Sequence, residues 1–148
     1  MGRPLRALFL GVITLSCDSS TGPDLTIATL QGSWQQVRCE AIAVADSTVT
    51  QLCTNGREVL YIAPTGGFEL SVQTLPGEDS LPRVTGHLIG TGRNLRAVYS
   101  APPADTAHIT YDRQNGTHAW TIVAVFRFEP PAALQSATVT VTYAQHTR

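Results

Sequence analysis

From residue 34 onward the sequence keeps returning to one pattern, apolar and polar side chains in strict alternation over short runs. Phe68, Leu70 and Val72 alternate with Glu69, Ser71 and Gln73. Leu95, Ala97 and Tyr99 alternate with Arg96, Val98 and Ser100, and Ala107, Ile109 and Tyr111 with Thr106, His108, Thr110 and Asp112. Trp120, Ile122, Ala124, Phe126 and Phe128 share a face opposite Thr121 and Arg127. Ala137, Val139, Val141 and Tyr143 alternate with Ser136, Thr138, Thr140 and Thr142. A period of two places one set of side chains against a core and the other in water, which is the requirement of a half-buried β-strand. No segment carries a sustained helical period.

Turn chemistry interrupts these runs at short intervals. Pro64-Thr65-Gly66-Gly67, Pro76-Gly77-Glu78-Asp79, Gly90-Thr91-Gly92, Pro102-Pro103 and Asn115-Gly116 each break a strand. Short strands with hairpin-length links predict an all-β fold, an antiparallel up-and-down meander closing into a small barrel, with a β-sandwich as the alternative. Closure leaves no exposed sheet edge, an advantage for a chain rich in Thr and Val.

The 148 residues amount to one domain, and 43% hydrophobic with 14% charged residues is the balance of a chain that buries a core. All ten basic residues are Arg, the net charge is −1, and no basic run occurs. Nucleic-acid binding therefore lacks its electrostatic footing.

The amino terminus reads as an address. Arg3 and Arg6 precede an apolar run from Ala7 to Leu15 that ends at Ser16-Cys17. A positive head, a short apolar core and a small residue at its end form an export signal. The run falls well short of the roughly 20 residues needed to span a bilayer. Thr14-Leu15-Ser16-Cys17 resembles the bacterial lipoprotein box, a resemblance that implies cleavage before Cys17 and acylation of that residue. Residues 1–16 are then the signal peptide, 17–29 the lipidated Cys and a flexible tether, and 30–148 the folded domain. The tether's polar stretch, Asp18 to Asp24, is of the kind that holds a domain off a membrane surface. The implied location is outside the cytoplasm, on a bacterial membrane, with the domain in the periplasm or at the cell surface.

With Cys17 assigned to lipid, Cys39 and Cys53 remain. A hairpin centred on Asp46 pairs residues whose numbers sum to 92: Val44 with Thr48, Ile42 with Thr50, Cys39 with Cys53. In an oxidising compartment a bridge there closes a loop and adds roughly 3 kcal/mol on the chain-entropy account. Two free buried thiols are the alternative.

Leu30-Gln31-Gly32-Ser33-Trp34 enters the first strand after the tether. Gly32 and Trp34 resemble the Gly-x-Trp start of lipocalin-like barrels, and small bacterial lipoproteins of that kind begin with a Leu-x-Gly-x-Trp segment. Glu129 before the Thr/Val strand from Ala137 to Tyr143 is similar to their ending. The resemblance implies a calycin-type barrel, a hydrophobic ligand, and a late Arg over the motif Trp, for which Arg127 and Arg148 are the candidates.

No catalytic constellation emerges. His87, His108, His118 and His146 are scattered, although the turn at Asn115 is able to bring His108 near His118. No nucleophile elbow, phosphate loop or dinucleotide fingerprint occurs. Neither metal-ligand spacing nor a cofactor motif is present, so no enzyme activity, metal or cofactor is expected.

Two functions remain. In the first, a membrane-anchored lipoprotein binds a small hydrophobic ligand within its barrel, lined by Phe68, Leu70, Leu95, Tyr99, Tyr111, Trp120, Ile122, Phe126, Val139 and Tyr143. In the second, the same residues only fill the core, and the lipoprotein acts through its surface on an envelope protein; the irregular stretches 76–82 and 101–106 are its candidate loops.

Overall fold

The computed structural model describes residues 25–53, 56–73, 83–100, 105–129 and 133–146. Nine strands are present among them. In chain order they are β1 (Gly32–Ala43), β2 (Thr50–Leu52), β3 (Glu58–Ile62), β4 (Gly67–Val72), β5 (Val84–Ile89), β6 (Arg96–Tyr99), β7 (Thr106–Asp112), β8 (Thr117–Phe128) and β9 (Ala133–Gln145). One short helix, α1 (Ile27–Leu30), precedes them, and a 3-10 turn spans Gly92–Asn94.

All pairings are antiparallel between neighbours, and β9 returns to pair with β1. The sheet is thus a closed up-and-down barrel of eight strands, with β2 as an additional strand. β1 serves one edge twice: its first half, Gly32 to Gln35, pairs with β3, and Glu40 to Ile42 pair with β2. The β1–β2 register joins Ile42 to Thr50 and Glu40 to Leu52. It is the register that a hairpin centred on Asp46 predicts. One step further on, Cys39 and Cys53 are joined by a disulfide, their Cα atoms 5.1 Å apart.

The alternation read from the sequence is realised as burial. Leu60, Ile62, Leu95, Ala97 and Ala107 are fully buried, with Phe68, Leu88, Ile109, Trp120 and Tyr143 nearly so, in one interior cluster. In β1 the alternation changes phase. Gln36 pairs with Tyr143 and Arg38 with Thr142, so Val37 is an extra residue in a β-bulge. Trp34 and Gln36 face inward before it, and Cys39, Ala41 and Ala43 after it.

One end of the barrel is plugged. Leu25 and Leu30 are buried in the main cluster, Ile27 packs against it, and the Leu25 carbonyl accepts a hydrogen bond from Gly92 N–H at 2.8 Å. Leu25 and Ile27, which the sequence reading places in the tether, thus pack against the core of the barrel. Gly32 has φ of 123°, a backbone conformation that side chains rarely adopt, while a Cβ there would meet nothing within 4 Å. Its glycine is required by the turn from α1 into β1 and not by crowding.

At the opposite end three strands outgrow the rest. β8 pairs with β7 only from Thr117 to Thr121, whereas β8–β9 pairing runs on to Phe128 and Ala133. Together with the second half of β1 and with β2, these strands make a wall standing past the barrel rim. Its inner face holds a second cluster, in which Ala41, Ala43, Phe128 and Ala137 are buried and Val49, Phe126 and Val139 partly so.

The barrel is closely packed at Gly86. A Cβ at this position would lie 2.2 Å from the Val98 carbonyl oxygen and 2.4 Å from Phe68 Cζ. Backbone and ring must both retreat to admit a methyl group. Gly86→Ala is expected to destabilise the fold by about 1–3 kcal/mol, read as a lowered midpoint in urea denaturation.

Candidate functional site

A group of polar side chains turns toward the main core of the barrel. Glu58 opens β3, on the face that carries Leu60 and Ile62. Its carboxylate Oε1 accepts a hydrogen bond from the Tyr143 hydroxyl of β9, the strand on the other side of β1. Burial raises the Glu58 pKa above the usual carboxylate value, partly offset by the Tyr143 hydrogen bond. The Tyr143 hydroxyl is pushed well above its ordinary value by burial, then by the negative charge and hydrogen bond of Glu58. Tyr99, at the end of β6, is pushed up to about 12 by burial and by the charges of Glu58 and Asp105.

Aromatic rings fill the space between these groups. Trp120 lies edge-on to Phe68 at 4.9 Å, to Tyr143 at 5.8 Å and to Tyr99 at 6.4 Å between centroids. His118 stacks on Tyr143 at 5.3 Å and meets Trp34 edge-on at 4.3 Å. Such pairs add attraction beyond their buried area.

The polar atoms within this packing are not all satisfied. His118 is 1% exposed, yet neither Nδ1 nor Nε2 has a hydrogen-bond partner among the described residues, and Trp120 Nε1 likewise has none. Trp34, by contrast, donates its indole N–H to the Leu30 carbonyl at 2.7 Å. Each buried orphan costs about 1–3 kcal/mol unless water or a ligand meets it. Burial lowers the His118 pKa from 6.5 to about 3, so the imidazole is neutral, one nitrogen a donor and the other an acceptor.

The residues expected to line a single cavity divide between two clusters. Phe68, Leu70, Leu95, Trp120 and Tyr143 are buried in the main cluster, with Tyr99, Tyr111 and Ile122 partly buried against it. Phe126 and Val139 belong to the wall. Trp34 anchors the plugged end. Arg127 does not cover Trp34: it is exposed at the far end of β8, opposite Leu134, because β8 continues past the rim. The described partner of the Trp34 ring is His118. Arg148, Cys17, the stretch 1–16 read from the sequence as a signal peptide, and residues 76–82 and 101–104 lie outside the described residues.

Nor do His108 and His118 meet. The turn carries four residues between Asp112 and Thr117, which sets His108 opposite Thr121 and His118 opposite Tyr111. An even-length loop sends two even-numbered residues to opposite faces, so His108 is exposed and His118 buried. Carrying the Trp120–Phe128 alternation back two residues already places His118 on the inner face; the same step back from Leu60 finds Glu58.

A groove of about 320 Å³ lies on the outer side of β3–β6, bordered by Tyr61, Glu69, Thr85, His87 and Ser100. Arg83 reaches Glu69 there at 3.0 Å. Among the described residues no group of three metal-ligating side chains is gathered, and no helix is long and apolar enough to cross a membrane. Compared with protein families, curated proteins and solved structures, the chain matches none.

The buried imidazole imposes a pH dependence of known sign. The unfolded chain protonates His118 near 6.5 while the fold resists until about 3, so the contribution of this site to stability falls as pH drops through that window. Glu58, with its raised value, acts in the opposite sense, losing stability as pH rises through its range. The difference in unfolding free energy between the protein and His118→Phe isolates the first effect. It is expected to shift against the unmutated protein by up to about 1.4 kcal/mol per pH unit on acidification, measured by urea denaturation from pH 7 to pH 4.

Proposed function

We propose that this chain is a lipocalin-like bacterial lipoprotein, exported and anchored through acylated Cys17, whose barrel binds a small hydrophobic ligand at the end away from α1. One observation carries the reading. Above the packed aromatic cluster the inner face of the wall stays only partly covered, with Ile122, Phe126 and Val139 half-buried. Apolar side chains that converge on a rim next to a few polar groups are the usual makings of a small-molecule site. The wall supplies the apolar side and the Glu58–Tyr143–Tyr99 group the polar one. Function needs no cofactor, no metal and no catalytic step.

Trp34 and Trp120 are natural reporters. Titration of the purified chain with apolar fluorescent dyes is expected to give saturable quenching with a dissociation constant on the order of micromolar. The signal is expected to vanish in Phe126→Asp, whose circular dichroism stays that of a folded barrel. Saturation unaffected by Phe126→Asp places binding elsewhere and sinks the reading.

The anchor has its own test. Expressed in a bacterium with lipoprotein processing, the protein is expected in the membrane fraction, and Cys17→Ala is expected to move it to the soluble fraction. Equal partition of the two proteins counts against acylation.

A second reading, a filled-core lipoprotein acting on an envelope partner, draws support from the outer face of the wall. Val123, Val125 and Leu134 are 63%, 70% and 64% exposed there, and form a neighbouring apolar group on β8 and β9. Absence of any saturable dye signal from a folded chain favours this alternative.

A further inference from the structure

The groove on the outer face of β3–β6 exists because a side chain is missing from the middle of that face. Outward residues there stand in two rows set by the strand register. In one row Tyr61 pairs with Glu69 and Glu69 with Thr85, and the Ser100 N–H donates to the Thr85 carbonyl at 2.8 Å. In the next row Gly67 pairs with His87 on one side, and on the other its carbonyl accepts the Ala63 N–H at 2.8 Å. A glycine next to an alanine leaves this second row low, and the space of about 320 Å³ is bordered by both of them.

Nothing in the fold demands a glycine at this point. Gly67 is not among the glycines with positive φ. A Cβ there would make only ordinary contacts, at 3.9 Å from His87 Nδ1 and 3.9 Å from Thr65 Oγ1. Glycine in a strand gives up packing and chain entropy. Where neither conformation nor crowding requires it, such a glycine marks a place where another molecule comes close.

The groups around the gap are of two kinds. Tyr61 offers an aromatic ring, 49% exposed. Glu69, half-buried, offers a carboxylate held in place by Arg83 at 3.0 Å, and Thr85, Ser100 and His87 add exposed polar atoms. Arg57, half-buried and already partnered, does not border the groove. A carboxylate has about four acceptor positions, so its bond to Arg83 leaves room for further donors. An aliphatic ligand would cover these polar atoms without replacing the water bonded to them. A pyranose ring matches both kinds of group. The C–H bonds on its face meet the negative face of an aromatic ring, and its neighbouring hydroxyls donate charge-assisted hydrogen bonds to a carboxylate. The volume, at the small end of the range for ligand sites, suits a short saccharide.

We propose that this groove is a saccharide-binding site separate from the barrel interior, in which a pyranose ring stacks on Tyr61, lies over Gly67 and donates hydroxyl hydrogens to Glu69. Thr85, Ser100 and His87 bond the remaining edge of the sugar.

Amide chemical shifts of the isotope-labelled full chain, titrated with cellobiose, lactose and diacetylchitobiose, test this, with sorbitol as a polyol that has no ring face. At least one disaccharide is expected to saturate with a dissociation constant on the order of millimolar, shifting Gly67, Thr85, His87 and Ser100, while sorbitol does not. Gly67→Val fills the gap and is expected to weaken binding at least about tenfold while the urea midpoint holds or rises. The exposed Tyr61 supplies a second variant that leaves the core untouched: Tyr61→Ala is expected to lose binding to the same degree, and Tyr61→Phe to stay within about threefold of the unmutated protein. No saturable shift with any of the disaccharides, shifts that map away from the groove, sorbitol binding as tightly as the best disaccharide, or binding that survives Tyr61→Ala each overturns the proposal. None of these results bears on the ligand proposed for the barrel, which is read through the buried Trp34 and Trp120.

Discussion

The structure depends on the pairing of β1 with β9. Every other strand pair in this fold joins neighbours in sequence, or near neighbours, and forms at the cost of closing a short loop. The β1–β9 ladder, from Trp34 with Gln145 to Ala43 with Ala137, is the one that joins the two ends of the domain. Without it the meander is an open sheet with apolar residues on one face and two unpaired edges. With it, the inner face becomes an enclosed interior, and Trp34, Trp120 and Tyr143 meet as parts of one cluster. The disulfide between Cys39 and Cys53 ties β2 to β1 on the other edge of that same strand. β1 is therefore bonded on both sides along much of its length.

The length of that ladder also shapes the site. Because β1, β8 and β9 continue beyond the rim set by the shorter strands, one side of the barrel is taller than the other. The inner face of the tall side carries Ile122, Phe126 and Val139. Packed rings fill the lower barrel, with α1 plugging its end.

Much of this was legible in the sequence because side-chain alternation is a local property. It marked the strands carrying Phe68, Leu95, Ile109, Trp120 and Tyr143, and it chose their buried faces. The spacing of Cys39 and Cys53 about Asp46 carried the β1–β2 register as well. The polar members of the site were harder to see. Glu58 and His118 occupy inward positions of the same alternating runs, but their residue types suggest a solvated face, and only enclosure on all sides makes such groups notable. Arg127 illustrates the converse error: its place in the chain suits a lid over Trp34, whereas the overhang of β8 carries it to the other end.

What the sequence by itself determined is the strand pattern, the faces, the hairpin turns and the single-domain, all-β class, because each is encoded within a few neighbouring residues. The bulge at Val37, the helix plug from Ile27 to Leu30, the overhang of the wall and the contact between Glu58 and Tyr143 were decided only in three dimensions. Each requires strands far apart in the chain to come together in one register. That register is set by closing the ladder around the whole core, a condition that no local stretch contains.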